Sequence, residues 1–434
     1  MRDYVVQQKS SCLYPLSNYV VYDHLTPAYR SSLAAYSAIV EPKTYVEANT
    51  NPLWVAAMKS EISALESNNT WTVVDLPPDK GDLCEEVYMQ NLDGFSSQGE
   101  YQKVCKLNKS LYGLKQSPRQ WNLKLIEALI DLGFVQSLYD YSLFTHRNGA
   151  YLVIVLVYLY DLLVTSNNLN LIEKARKDLQ SKFKMKGLGE LKYFLGIEFS
   201  RLEKGIHMCQ RKYALELLSE TGISGGKPAL TPLEFNHKLT SIEFDKVFNK
   251  ENLSDDMLLE DRSGHQRIVG RLLYLVMTRP GIAFVVQVLS QFIHAPKQSH
   301  LDAAMRVIKY IKGNPGLGLF LPSDGTQKMV AFCDLDWDAC VDTRKSVTGY
   351  AVKFGDALIL WKSKKQGTVS RSSAEAEFGS MATTIIEIKW LVGLFEELGV
   401  VVELQVQLYC DSKAAIQIAA HPIFHERTKH IVTL

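Results

Sequence analysis

The chain has 434 residues, 47% of them hydrophobic and 22% charged, an ordinary globular composition with room for two or three domains and their cores. Lys and Arg total 48 against 47 Asp and Glu; the net charge of +1 excludes capture of nucleic acid by a global field and leaves that task to local basic patches. The 7 cysteines, odd in number and without a C-x-x-C pair, argue against a disulfide framework and a structural zinc site, and fit a reducing intracellular compartment, cytoplasmic or nuclear.

The opening MRDYVVQQKS is polar and lacks the apolar centre of a secretory signal. The longest apolar run, residues 150–164, is shorter than the ~20 residues of a spanning helix and contains Asp161, so no membrane partner is expected. Residues 1–50 carry Pro15, Pro27 and Pro42 without a sustained period and read as a linker. Trp54, Met58, Ile62 and Leu65 then recur at helical spacing after Pro52, and TWTVVDLP alternates like a strand. A second helix starts with Ser117 as cap and Pro118 at its first position, carries Trp121, Leu125, Ala128, Leu129 and Leu132 along one face, and stops near Gly133. Lys103, Lys106, Lys109, Lys115, Arg119 and Lys124 surround it beside Tyr112 and Trp121. Basic and aromatic residues together suggest a nucleic-acid surface, although a solvated helix face explains the same charges.

The stretch VLVYLYDLLVTSNN, residues 155–168, reads as a buried hairpin with Asp161 at or near its tip; a carboxylate there is costly unless paired, hydrogen-bonded or metal-bound. An amphipathic helix follows, with Leu171, Ile172, Ala175, Leu179 and Phe183 inward and lysines outward. Residues 225–264 are polar and broken by Gly, Pro and Asn, and two apolar segments beyond them, GRLLYLVMTRPGIAFVVQVLSQFIHAP and LDAAMRVIKYIKG, read as packed helices. From Met329 a compact unit is expected: a strand at residues 330–333 leading to Asp334, a hairpin turning at Gly355-Asp356, a helix at 373–398 closed by Gly399, and a strand at 406–410 ending at Asp411.

That order places acids at element ends. Asp334, Glu375 and Asp411 would converge there, and clustered carboxylate oxygens are what Mg²⁺ prefers. Other roles stay open: Ser372-Ser373-Ala374-Glu375 is also a capping box, Glu377 is a second candidate on the same turn, and Asp334 and Asp411 suit strand-end turns. His421, His425 and His430 lack the partners of a metal site, and Pro422 disturbs a helical pairing, so they read as structural or substrate-facing. Lys362, Lys364, Lys365 and Arg371 around Trp361 form a candidate phosphate-contacting edge, with a solvated loop as the other reading.

Taken together, YPLSNYVVYDHLTPAYRSSLAA, EEVYMQNLDGF, VCKLNKSLYGLKQSPRQW, GFVQSLYDYSLF, LGELKYFLGIE, GRLLYLVMTRPGIAF, WKSKKQGTVSRSSAEAEF and HPIFHERTKHI resemble, in the same order, the Pol polyprotein of plant copia-type LTR retrotransposons. The resemblance implies an α+β and α/β multidomain chain: an integrase-to-polymerase linker at 1–50, a reverse transcriptase with fingers and palm at 51–240, thumb or connection helices at 241–328, and a ribonuclease H-like domain at 329–434. Asp334, Glu375 and Asp411 then take the places of the ribonuclease metal acids, the family's fourth acid lying downstream of HERTKHI while this sequence stops at Leu434. Asp161 takes the place of one polymerase metal acid, with Mg²⁺ or Mn²⁺ as cofactor and an RNA–DNA hybrid as partner; Lys115, Arg119 and Trp121 are expected to touch nucleic acid.

Two departures from the family pattern bear on activity. Its Y-V-D-D hairpin reads Tyr158-Leu159-Tyr160-Asp161 here, a bulky phenol replacing the first hairpin acid. Lys80 also runs straight into Gly81 where the family has a long stretch with the first catalytic acid, so an internal deletion is expected at 80/81. The expected outcome is an inactive polymerase. Residual Mg²⁺-dependent ribonuclease H, a non-catalytic nucleic-acid-binding remnant, and a product that cannot finish folding because its sheet edges are unpaired are the three readings of what remains.

Overall fold

A computed structural model describes residues 45–75, 88–90, 103–108, 117–234, 238–248, 256–403 and 405–420. Lys115, the 80/81 junction, His421, His425, His430 and most of the expected linker lie outside the described residues. The described residues fall into two compact units, one within residues 45–136 and 141–185, the other within residues 137–140 and 186–420. Helices and sheets are mixed in both.

In the first unit, α1 (Pro52–Ser67) starts where the Asn51 side chain accepts the Leu53 N–H at 3.0 Å, with Pro52 needing no donor partner in the first turn. Strands β1 (Trp71–Asp75), β2 (Tyr88–Gln90) and β3 (Lys103–Leu107) form an antiparallel sheet in the order β1-β3-β2. Helix α2 (Ser117–Asp131) ends as its sequence predicts. Gly133 sits at φ +84°, its N–H reaching the Ile130 carbonyl at 2.9 Å while the Phe134 N–H reaches Leu129 at 3.0 Å, so two otherwise orphaned carbonyls are satisfied.

The antiparallel meander β4 (Val135–Gln136), β5 (Leu143–Asn148), β6 (Tyr151–Tyr158) and β7 (Asp161–Ser166) and helix α3 (Leu169–Lys182) complete this unit. Strand β6 turns Val153, Val155 and Val157 inward at a period of two. They join Leu125 and Leu129 of α2, Phe144, and Ala175 and Leu179 of α3 in one core. Burying side chains of this size is worth ~1.5–3 kcal/mol each, which sets the register of the hairpin that presents Asp161.

The second unit opens with short β8 (Tyr193–Phe194), β9 (Ile197–Leu202) and β10 (Gly205–Cys209), then helices α4 (Arg211–Glu220), α5 (Ile242–Phe248), α6 (Arg262–Leu275), α7 (Ala283–Ser290) and α8 (Gln298–Gly313). Strand β11 (Gly318–Pro322) returns to pair with β10. Leu217 and Leu218 of α4, Leu272 and Leu275 of α6, Leu289 of α7 and Ile308 and Ile311 of α8 share the largest core. The expected polymerase segment 51–240 is thus divided between the units, its part beyond Met185 packing with the helices of 241–328.

A buried ionic knot ties this region together. Lys297, 2% exposed, bonds Asp245 of α5 and reaches Asp256 at 2.8 Å, while Ser299 holds Asp256 through its N–H at 2.9 Å. His300 is buried beside it: its Nδ1 accepts the Lys297 N–H at 3.0 Å and its Nε2 lies 3.1 Å from the Thr240 carbonyl. Burial, reinforced by the neighbouring Lys297 charge, pushes the His300 imidazole down to about 4.

The chain then forms β12 (Met329–Cys340), β13 (Lys345–Phe354), β14 (Ala357–Lys365), the long α9 (Ser373–Glu397), β15 (Gln407–Tyr409) and α10 (Lys413–Ala420). The sheet runs β14-β13-β12-β15, antiparallel except for β15, which lies parallel to β12 after the α9 crossover. The strand, hairpin, helix, strand order expected from the sequence appears here, with β12 longer than expected. It continues through Asp334 and pairs up to Asp336, where a register shift and Asp338 at φ +56° break the alternation that would have announced it. Helix α9 is the one described helix long and apolar enough to cross a membrane by length and composition. The same apolar character serves a helix lying on a sheet: Ile388 and Leu391 pack with Met329, Ala331 and Val352.

Candidate functional site

Two places receive the sequence-predicted acids. The first is the β6–β7 hairpin, in which Tyr158 pairs with Asp161 across the two-residue turn Leu159-Tyr160. Leu159 adopts φ +49°, a left-handed conformation that a leucine adopts at a cost. Asp161 stands exposed at the start of β7, so the burial expected for this acid is not what the structure gives: the apolar run is inside and its tip is outside. Tyr160, 46% exposed, directs its ring edge-on to Trp121 of α2 with centroids 5.3 Å apart. Trp121 itself packs against the core, while Arg119 is exposed on the same helix.

The second place is the end of the parallel pair β12 and β15. Asp411 follows β15 by two residues, and Asp334 lies within β12 opposite Gly349. Asp334 Oδ1 accepts the N–H of Leu335 at 2.8 Å, and Ser380 of α9 donates its hydroxyl to the Asp334 carbonyl at 3.2 Å, fastening helix to strand. One ligand atom from each of Glu377, Cys410 and Asp411 lies within 4.8 Å of the others, the only such trio among the described residues.

Glu375, the acid expected in this cluster, sits in the first turn of α9. Its carboxylate accepts the N–H of Arg371, one residue before the Ser372 cap, at 2.8 Å, while its own N–H donates to Ser372 Oγ at 3.2 Å. Two residues further on, a helix has turned about 200°, and Glu377 is the acid that meets Asp411. Glu377 is 8% exposed. Burial first, then the negative charges of Asp411 and Asp334, push its carboxyl up to about 7. The signal in the sequence was the stripe Glu377, Ser380, Thr384, Ile388 and Leu391, spaced three or four apart and buried throughout; an acid on the core side of a helix needs a partner.

This donor set fits a hard divalent cation. Carboxylates crowded until one of them is driven toward its neutral form would all be favoured as anions by an Mg²⁺ ion among them. The Cys410 thiol, 4.0 Å from Glu377 Oε2, is a soft donor and does not belong to such a set.

The basic edge divides by strand alternation. Lys362 and Lys364 are exposed on β14, Lys362 lying 3.4 Å from Glu387 of α9. Trp361 and Lys365 point the other way, the indole N–H to the Val276 carbonyl at 3.1 Å and the ammonium to Gln291 at 2.7 Å. Lys365 is therefore a packing residue, and Lys364 and the exposed Arg371 are the cations left to the surface.

Residues 62–235 match the family model described as reverse transcriptase (RNA-dependent DNA polymerase). The chain is 41% identical over 352 residues to the Pol polyprotein of transposon RE1 from Arabidopsis thaliana, covering 81% of this chain and 23% of that protein. It is 34% identical over 482 residues to that of transposon RE2 from the same plant, covering 93% and 32%. To the polyprotein of transposon TNT 1-94 from Nicotiana tabacum it is 35% identical over 365 residues, covering 81% and 26%. The chain spans between 23% and 32% of the length of these relatives. The RE2 alignment, at 482 residues, is longer than the 434 residues of the chain, so it crosses positions of that relative with no counterpart here.

Proposed function

Because the chain belongs to the copia-type retrotransposon Pol polyproteins and carries their reverse transcriptase domain, we propose that it is a retrotransposon-derived fragment that no longer polymerises and that cleaves the RNA strand of an RNA–DNA hybrid at Asp334, Glu377 and Asp411. The observation that carries this reading is Glu377, buried and facing Asp411 across the end of a parallel strand pair. The β12–β13–β14–α9–β15 order, with its single parallel neighbour, supports a ribonuclease H-like domain.

Glu377 and Asp411 would hold Mg²⁺ with Asp334 as the third acid. Bound there, Mg²⁺ supplies a charge that polarises the phosphodiester and lowers the pKa of an attacking water. The chain's own residues position and restrain. The α9 stripe fixes Glu377, Ser380 ties α9 to the strand bearing Asp334, and Lys364 and Arg371 offer charge to the phosphates of a docked strand.

Loss of polymerisation is supported by Tyr160, whose aromatic ring occupies the place of a metal acid and packs on Trp121, and by the unmatched length in the RE2 alignment, which agrees with a deletion at 80/81. The test is an end-labelled RNA–DNA hybrid incubated with the purified chain. Mg²⁺-dependent loss of the RNA strand is expected, abolished by chelation and by Asp411→Asn and Glu377→Gln. Salt-sensitive binding with no cleavage would replace the hydrolase reading by a non-catalytic remnant. Primer extension with Mg²⁺ or Mn²⁺ should be absent, and any measurable extension would overturn that half.

A further inference from the structure

Neighbouring the acids are two sulfurs that hydrolysis does not use. Cys333 immediately precedes Asp334 on β12, and Cys410 immediately precedes Asp411 after β15. The parallel register pairs Phe332 with Tyr409, so Cys333 and Cys410 are the next two residues across the same pair of strands. Neighbouring strands lie ~4.8 Å apart, inside the Cα separation of about 4.4–6.8 Å that a disulfide spans. Both cysteines are free thiols here. Cys333, 5% exposed, donates to the Tyr409 carbonyl at 3.5 Å; Cys410 is half-buried and lies against Glu377.

We propose that Cys333 and Cys410 are an oxidisable thiol pair, a modification site for hydrogen peroxide, whose disulfide closes the acid cluster. The consequence for the cluster rests on the hydrolase reading above, and the disulfide itself does not. Cys410 is the sulfur that solvent reaches. Its thiol loses two electrons to peroxide, giving a sulfenic acid and one water as the O–O bond breaks. The Cys333 sulfur then attacks the Cys410 sulfur, the S–O bond breaks, and the hydroxyl leaves with the Cys333 proton as a second water.

Packing and pairing both assist. Cys333 is shielded by the strands and helix packed around it, so the half-buried Cys410 meets the oxidant first. The β12–β15 pairing ends at Phe332 and Tyr409, and Cys410 lies one step beyond it, outside the ladder that would hold its backbone in place. Drawing Cys410 toward β12 takes it from Glu377 and drags Asp411 with it.

The full chain, reduced and freed of thiol, is exposed to hydrogen peroxide, alkylated and digested. A Cys333–Cys410 cross-linked peptide is expected as the dominant disulfide, lost in Cys333→Ser, with Cys410→Ser as the second variant should the first fail to fold. The Mg²⁺-induced rise in melting temperature should vanish on oxidation, return with dithiothreitol, and persist through peroxide in Cys333→Ser. Dominant cross-links at Cys105, Cys209 or Cys340, or Cys410 found only as sulfinic acid, would overturn the pair; an Mg²⁺ response that survives the cross-link would overturn the closure. Hybrid cleavage absent from the reduced protein, with the cross-link present, would remove the hydrolase reading and leave the thiol pair standing.

Discussion

Replacing Glu377 by Gln keeps the size of the side chain and removes its ability to ionise. In the folded chain Glu377 holds its proton up to about 7, whereas in the unfolded chain it titrates near the ordinary 4.5. Its contribution to stability is therefore fully present below pH 4.5 and is lost as pH rises to 7. At ~1.4 kcal/mol per pH unit the window is worth at most ~3.5 kcal/mol, and ~2 kcal/mol after allowing for solvent reaching the cluster beside the exposed Asp411. For a unit of this size that is about 4–8 °C in melting temperature. Thermal melts of wild type and Glu377→Gln are compared at pH 5 and pH 8 in chelator. The wild type should lose more stability than the variant by about that amount, and Mg²⁺ at pH 8 should return it to the wild type alone. Identical pH slopes, or a variant less stable at both pH values, would refute the crowding of Glu377 against Asp411 and Asp334.

Other expectations use the same measurements. Glu375→Ala should cost about 0.5–1 kcal/mol through the lost cap and leave hybrid cleavage intact, the opposite of Glu377→Gln; equal loss of cleavage in both would count against the distinction. Lys297→Ala strands Asp245 and Asp256 around a buried site and should cost about 3–5 kcal/mol in a denaturant melt, whereas removing the exposed Lys182–Asp131 pair should cost under about 1 kcal/mol. His300, held neutral down to about 4, contributes stability that is present above its ordinary 6.5 and is lost as pH falls toward 4; His300→Gln should flatten the acid limb of the melting curve.

What the sequence made legible was local. Helix α2 was readable from Ser117-Pro118 to Gly133, because its start and its left-handed stop are written in neighbouring residues. Helix α9 was readable for the same reason: Ser372 caps it, and Gly399 at φ +72° closes it. The choice between Glu375 and Glu377 was not local. Both sit in the first two turns, and only the sheet on which α9 rests decides which of them is buried. The neighbourhood of Cys333 and Cys410 depends on strands 77 positions apart adopting parallel register, which neither string announces. The division of residues 51–240 was hidden likewise, since α4 looks like any amphipathic helix until Leu217 and Leu218 are found among α6 and α8.

The contact between Tyr160 and Trp121 has a consequence for history as well as for chemistry. Tyr160 is part of the packing of α2, and an edge-on aromatic pair contributes ~0.5–1.5 kcal/mol. An acid at 160 would discard that contact and place a second negative charge beside Asp161. On the reading proposed above, the hairpin is held in its altered form by stability, with no selection for copying acting against it.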